Sequence, residues 1–389
     1  MNGPDDLTDA VRARLAGTGG EPTGGRVAAA VRAEERLLGD QEVLALVNEL
    51  RADFVGTGPL EPLLRSSEVT DVLVNGPFEV WVDAGSGLVR TPVRFPDEVS
   101  LRRLAQRLAA AAGRRLDDAA PYVDARLPGG IRLHAVLPPV SPGGTCLSLR
   151  LPRRRAFTLD ELVAAQAIPP AGAELLAALV AARPAFLITG GTGTGKTTLL
   201  SGLLSLADPR ERLVLVEDAA ELRPEHPHVV RLEARPPNVE GAGGVTLHDL
   251  VRQALRMRPD RLVVGEVRGD EVADLLSALN TGHEGGCGTL HANTATDVPA
   301  RLEALGCAAG LTREAVHSQL AAALDVVVHL TRDPAGGRRR VAAVCMLQRG
   351  PDGLVNALPA VTFTPDGQLV NEPGASALAD RLGSLWRPR

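Results

Sequence analysis

Residues 190–198 read Gly-Gly-Thr-Gly-Thr-Gly-Lys-Thr-Thr. They fit the pattern G-x-x-x-x-G-K-[ST], with Gly190, Gly195, Lys196 and Thr197 in the fixed places. The chemistry this spacing serves is phosphate binding. Gly190, Gly191, Gly193 and Gly195 let backbone N–H groups converge on phosphate oxygens without Cβ obstruction, and Thr192, Thr194 and Thr198 complete the cradle. Lys196 reaches the β- and γ-phosphates, and the Thr197 hydroxyl is placed to ligate Mg²⁺. Lys196 is the only lysine in the chain; every other basic side chain of this kind is arginine. A compact ammonium is kept at the one position where a planar guanidinium would collide with the phosphates. The expected ligand is therefore ATP with Mg²⁺.

Three further apolar runs end in residues that could act on that ligand. Leu213–Val216 is followed by Glu217 and Asp218, with Glu221 beyond. Leu262–Val264 is followed by Gly265 and Glu266, and Gly288–Leu290 by His291. Open parallel sheets bind ligands beyond the carboxyl ends of their strands, so these groups converge with the glycine loop on one edge. Glu266 is expected to orient or activate the attacking water, and Glu217 to hold Mg²⁺ directly or through water. His283 and His291 lie in the glycine-rich segment 281–293 and are expected to sense the γ-phosphate. Arg256, Arg258, Arg261 and Arg268 lie close to Glu266 in sequence, and Arg132 and Arg150 occupy an earlier domain. An arginine supplied in trans accelerates phosphoryl transfer by roughly 10³ to 10⁵. Each of these arginines is equally open to reading as a surface residue of an arginine-rich chain.

The elements that must position these residues follow from pattern. The run Phe186–Ile188 predicts a buried strand ahead of the loop, and Leu199–Leu206 a helix after it. Strands at 186–189, 213–216, 262–264 and 288–290, alternating with helical stretches, predict a parallel, doubly wound sheet. Thr158 and Glu161 stand in capping-box positions before helices at 158–165 and 171–182. Segment 318–323 is expected to be helical. Strands are expected at 326–330 and 340–347 around a turn at 334–337, then one more hairpin and a frayed tail over 351–389. Upstream, 56–151 alternates charged and apolar residues, as a half-exposed sheet does. Strands are predicted at 69–74, 80–82, 88–93, 123–127, 131–137 and 146–151, with helices at 60–64 and 101–112. The domain boundaries read as 1–55 (flexible arm and helical extension), 56–151 (smaller α/β domain), 152–157 (basic linker) and 158–389 (nucleotide domain with hairpin and tail).

Composition narrows the partners. The chain has 389 residues, 44% hydrophobic, which is ample for buried cores. A net charge of −5 and only 2% aromatic residues count against a nucleic-acid ATPase, which needs a basic surface and stacking side chains. The four cysteines, Cys146, Cys287, Cys307 and Cys345, form no C-x-x-C pair, arguing against a zinc module or a disulfide framework. Residues 1–9 lack the basic and apolar regions of a signal peptide, and no apolar run of about 18 residues occurs, so neither a leader nor a membrane span is expected. A cytoplasmic protein that meets any membrane through partners is the expectation.

With those residues in view, the chain resembles the secretion ATPases of the type II/type IV secretion superfamily. The resemblance rests on the Gly190–Thr198 loop, the acidic segment Val216–Leu222, the segment Arg256–Gly269 and the segment Thr281–Asn293, which look like the Walker A, Asp box, Walker B and His box. Val69–Gly76, Gly130–Pro139 and Cys146–Arg150 are most similar to the tight-adherence (Flp pilus) branch, the TadA/CpaF-like ATPases. The resemblance covers about residues 40–350. It implies a RecA-like P-loop domain behind a smaller N-terminal α/β domain. It also implies a homo-hexamer that hydrolyses ATP and works on inner-membrane pilus or secretion platform proteins. By the same resemblance, Glu266 matches the Walker B glutamate, and Arg132 and Arg150 face the nucleotide from the first domain. Gly286-Cys287 departs from the serine and bulkier residue that relatives often carry there. A conjugative type IV secretion ATPase is the nearest alternative.

Overall fold

The computed structural model describes residues 29–30, 57–66, 68–85, 87–151, 155–235, 237, 242–282, 284–333 and 337–388. Packing divides the chain into two compact units, Met1–Arg153 and Arg154–Arg389. The expected N-terminal arm and helices (apart from helical Ala29 and Ala30), residues 152–154 of the basic linker, His283 and most of the turn at 334–337 lie outside the described residues.

In the first unit, α1 (Glu61–Arg65) precedes β1 (Asp71–Asn75), β2 (Val80–Asp83) and β3 (Leu88–Arg90). Helix α2 (Glu98–Ala111) follows, then β4 (Tyr122–Arg126), β5 (Arg132–Val136) and β6 (Cys146–Arg150). The strands form one antiparallel sheet in the order β3-β2-β1-β6-β5-β4. Alternation decides the faces: Val72, Val74, Leu133, Ala135, Leu147 and Leu149 point inward against Leu101, Leu104 and Leu108 of α2. Asp97 starts α2 by accepting the Ser100 amide at 2.7 Å.

The second unit opens with α3 (Leu159–Ala164), whose capping box pairs Thr158 with Glu161 as expected. It continues through α4 (Pro170–Ala182), β7 (Phe186–Gly190), α5 (Lys196–Leu204), β8 (Leu213–Glu217), β9 (Val229–Glu233), α6 (Leu247–Ala254), β10 (Arg261–Val267), α7 (Glu271–Leu279) and β11 (Cys287–Leu290). Then come α8 (Val298–Ala308), α9 (Arg313–Ala323), β12 (Val326–Arg332), β13 (Arg339–Arg349), β14 (Val355–Phe363), β15 (Leu369–Asn371) and α10 (Ala375–Leu382). The nine strands run β15-β14-β13-β12-β7-β11-β10-β8-β9. From β12 to β9 every neighbour is parallel; β13, β14 and β15 add an antiparallel wing. The apolar runs of β7 and β8 are buried at every position, because helices cover both faces. Phe186, Ile188, Leu213 and Leu215 pack into one core with α4, α5 and α10. Leu187, Val214 and Val216 pack into a second core with α6 to α9.

Three differences from the sequence reading have physical causes. The tail is not frayed: α10 puts Leu378 and Leu382, one helical turn apart, into the first core, and Trp386 beyond the helix joins them there. Arg381 fastens the same helix to Asp325 at 2.9 and 3.0 Å. β10 runs on past Val264 to Val267, so Glu266 projects from a strand rather than from the loop after it, and the register with β11 shifts between Val264 and Val267. The edge strand β9 was unforeseen because its apolar residues, Val229, Val230 and Leu232, are only half-buried.

Candidate nucleotide site

The glycine loop turns between β7 and α5, and its conformation depends on lost side chains. Gly190 has φ +149, and a Cβ there would stand 2.5 Å from the Leu330 carbonyl oxygen. Gly193 and Gly195 also hold positive φ, +72 and +96. The buried Thr194 hydroxyl donates to the Gly191 carbonyl at 2.9 Å and closes the turn on itself. Thr192 is exposed, and Thr197 and Thr198 are half-buried in the first turn of α5. No hydrogen bond of the Thr197 hydroxyl is formed among the described residues.

Lys196 is buried, and its ammonium donates to the carbonyls of Gly190 and Gly191, each at 3.1 Å. It lies 3.3 Å from Nε2 and 3.4 Å from Nδ1 of His291. Burial lowers the Lys196 pKa, and the Glu266 charge works in the opposite direction. His291 Nε2 meets Glu266 Oε1 at 2.5 Å, and Arg268 Nη2 meets Glu266 Oε2 at 2.5 Å. Arg268 Nε continues the chain to Asp218 at 3.1 Å. Burial first, then the Lys196 ammonium, lowers the His291 pKa below the ordinary imidazole value, with Glu266 opposing. Neutral imidazole is therefore favoured at pH 7. Lys196, His291, Glu266, Arg268 and Asp218 thus form one polar chain across the carboxyl ends of β7, β11, β10 and β8.

Glu217 is 3% exposed at the end of β8, against the bare Cα of Gly265, where a Cβ would stand 2.7 Å from its Cγ. Its Oε1 accepts the amides of Glu221 and Leu222, each at 2.9 Å. Its Oε2 is buried with no hydrogen-bond partner. Burial raises this carboxyl's pKa, and the two amides partly offset it. An orphaned carboxylate oxygen of this kind fits a cation or a cation-bound water, so the residues present are compatible with Mg²⁺. Among the described residues no group of three or more His, Cys, Asp or Glu side chains is placed to hold a metal ion.

Arg132 and Arg150 belong to the first unit, where they are cross-strand partners on the exposed face of β5 and β6. Arg126 on β4 continues the row opposite Arg132. Like charges directly opposite one another are unfavourable in a sheet unless an anion or acid compensates them. His283 lies outside the described residues. Of the other arginines considered, Arg261 is 2% exposed and paired to Glu211 Oε2 at 2.5 Å, a structural role at the far ends of the strands.

Several supporting residues were not singled out from sequence. Buried Glu271 accepts the amides of Arg268 and Gly269 at 2.6 and 2.9 Å, fixing the segment that presents Arg268. His329 on β12 is hydrogen-bonded to Thr189 on β7 at 2.9 Å, and Thr289 on β11 donates to the Gly265 carbonyl at 2.6 Å. A histidine inside the apolar run Val326–Leu330 was the available signal; nothing local marked Glu271 or Thr289.

With the geometry in hand, the chain can be set beside known proteins. The family model described as Type II/IV secretion system protein matches residues 53–361. A Mycobacterium tuberculosis protein named for conjugal transfer is 60% identical over 328 residues, covering 83% of this chain and 93% of that protein. The type IV secretion system protein PtlH of Bordetella pertussis is 34% identical over 315 residues, covering 73% of this chain and 92% of its own length. Among solved structures, the pilus retraction motor PilT with bound ADP superposes with a TM-score of 0.54 at 21% identity, over 76% of this chain and 83% of that one. This last likeness concerns the fold alone.

Proposed function

We propose that this chain, which belongs to the type II/IV secretion system protein family, binds ATP with Mg²⁺ and hydrolyses it as a hexameric motor. The observation that carries this reading is the continuous polar chain from Lys196 through His291 to Glu266, built on the edge that the phosphate loop opens onto. In this arrangement Lys196 gives up the Gly190 and Gly191 carbonyls for β- and γ-phosphate oxygens. Glu266 exchanges one of its partners, His291 or Arg268, for the attacking water and orients it. Neutral His291 then takes its place between Lys196 and the γ-phosphate, where presence or loss of that phosphate changes what the imidazole bonds. Thr197 and Glu217 would hold Mg²⁺, which neutralises phosphate charge. Arg132 and Arg150 supply cations from the first unit of a neighbouring copy.

The work done is movement of pilus or secretion components through inner-membrane platform proteins, from the cytoplasmic side. Among the described residues no helix is long and apolar enough to cross a membrane. A second reading, a motor for conjugative transfer, is favoured by the 60% identical relative named for conjugal transfer. Deletion of the gene separates the two: loss of piliation or secretion supports the first, loss of plasmid transfer the second. For the shared core of both readings, Lys196→Ala is expected to abolish phosphate release from ATP. Undiminished release by that variant would refute the site. Light scattering with ATP is expected to show a hexamer; a monomer at full activity would refute the shared-site arrangement.

A further inference from the structure

The turn end of the β12–β13 hairpin carries four arginines, and three are committed within the hairpin and its surroundings. Arg338 and Arg340 both pair with Asp333, at 3.4 and 3.1 Å. Arg340 also donates to the Phe363 carbonyl at 3.0 Å, and Arg332 donates to the Gly337 carbonyl at 3.1 Å. Arg339 is exposed and forms no hydrogen bond or ion pair among the described residues. It stands directly across from Arg332 in the ladder. Two guanidinium groups so placed repel one another, a cost that an anion between or beside them would remove.

The sheet carries this hairpin to the phosphate loop. β12 runs parallel to β7 with Leu330 opposite Gly190, so the residues after Leu330 overhang the turn. A Cβ on Gly195 would lie 3.8 Å from Cδ of Arg339. The guanidinium begins one bond beyond that atom. Lys196 is drawn toward the other end of the loop, by the carbonyls of Gly190 and Gly191.

We propose that Arg339 is a nucleotide-binding residue, laying its guanidinium on the α- and β-phosphates at the Gly195 end of the loop. The inference rests on the nucleotide reading above and extends it to a second cation from the same copy. The planar fork of arginine suits two phosphate oxygens, and its long stem covers the distance from the hairpin. Bonding at the α- and β-phosphates is common to ATP and ADP and does not strengthen as the γ-phosphate leaves. Such uniform binding appears in KM rather than in kcat.

The test uses the full chain with Arg339→Gln, Arg339→Lys and, as a control, Arg332→Gln, each first checked for an unchanged melting curve. Loss of one charge-assisted contact is expected to weaken ADP binding and raise the KM for ATP by about tenfold in Arg339→Gln. The loss is expected in KM, with Arg339→Lys intermediate and Arg332→Gln like the parent. Unchanged ADP affinity in Arg339→Gln, or a fall in kcat at constant KM, would overturn the inference. Lys196→Ala measured alongside separates the two levels. If it too binds ADP normally, the nucleotide site itself is misplaced; if it has lost ADP while Arg339→Gln has not, only the role of Arg339 falls.

Discussion

Gly190→Ala asks whether the backbone path of the phosphate loop makes the site. Gly190 sits at φ +149, a region that L residues rarely adopt, at a cost of roughly 1–3 kcal/mol. The added Cβ would stand 2.5 Å from the Leu330 carbonyl oxygen and 2.8 Å from the Thr194 hydroxyl. Leu330 is held in β12 opposite Gly190, so its oxygen cannot withdraw without opening the ladder between the two strands. Overpacking of that kind adds about 1–3 kcal/mol. The sum, about 4 kcal/mol, corresponds to a fall in Tm of about 8–16 °C for a domain of this size. Gly193→Ala is the matched comparison: its φ is +72, but no atom lies within 4 Å of its Cβ position. Left-handed strain alone, about 1–2 kcal/mol, should lower Tm by only about 2–8 °C. Calorimetry of the full chain, with ADP titration on each variant, checks both numbers. Equal shifts for the two variants, or Gly190→Ala binding ADP like the parent, would refute the argument that β12 sets the loop.

Other perturbations read other parts of the structure. Glu211→Ala leaves the guanidinium of Arg261, 2% exposed, without its buried carboxylate and should destabilise the second unit by about 3–5 kcal/mol in urea unfolding. Thr158→Ala removes the acceptor for the Glu161 amide and should cost about 1 kcal/mol while leaving ATP turnover intact. By proton NMR, His291 should titrate below its ordinary value of 6.5, and Lys196→Met should raise the midpoint, because burial and then the Lys196 charge depress it. A midpoint that falls or stays fixed in that variant would show that the ammonium does not act on the ring.

The parts of the site legible in the sequence are those fixed by local chemistry. A glycine loop with one lysine needs only its own spacing, and acids or a histidine at the ends of apolar runs follow from the pattern of a parallel sheet. Tertiary effects escaped the same reading. Glu266 lies within β10 because a register shift lets that strand run past its neighbour. Arg268 could be placed near Glu266 by sequence distance, but its bridge to Asp218 depends on β8 and β10 lying side by side. Arg339 reaches Gly195 only because β12 pairs with β7, 140 residues away in the contact between Thr189 and His329. The terminal helix was hidden by a glycine- and proline-punctuated stretch whose three apolar residues gain meaning only against the first core.

The central claim is that Glu266 acts on water at a site where Lys196 holds the phosphates. Single-turnover measurement on Glu266→Gln, with bound ATP and released phosphate followed in one reaction, tests it most directly. The account predicts that ATP is retained at near-parent affinity and that phosphate release falls at least about a hundredfold. Loss of ATP binding, or release at the parent rate, would contradict it.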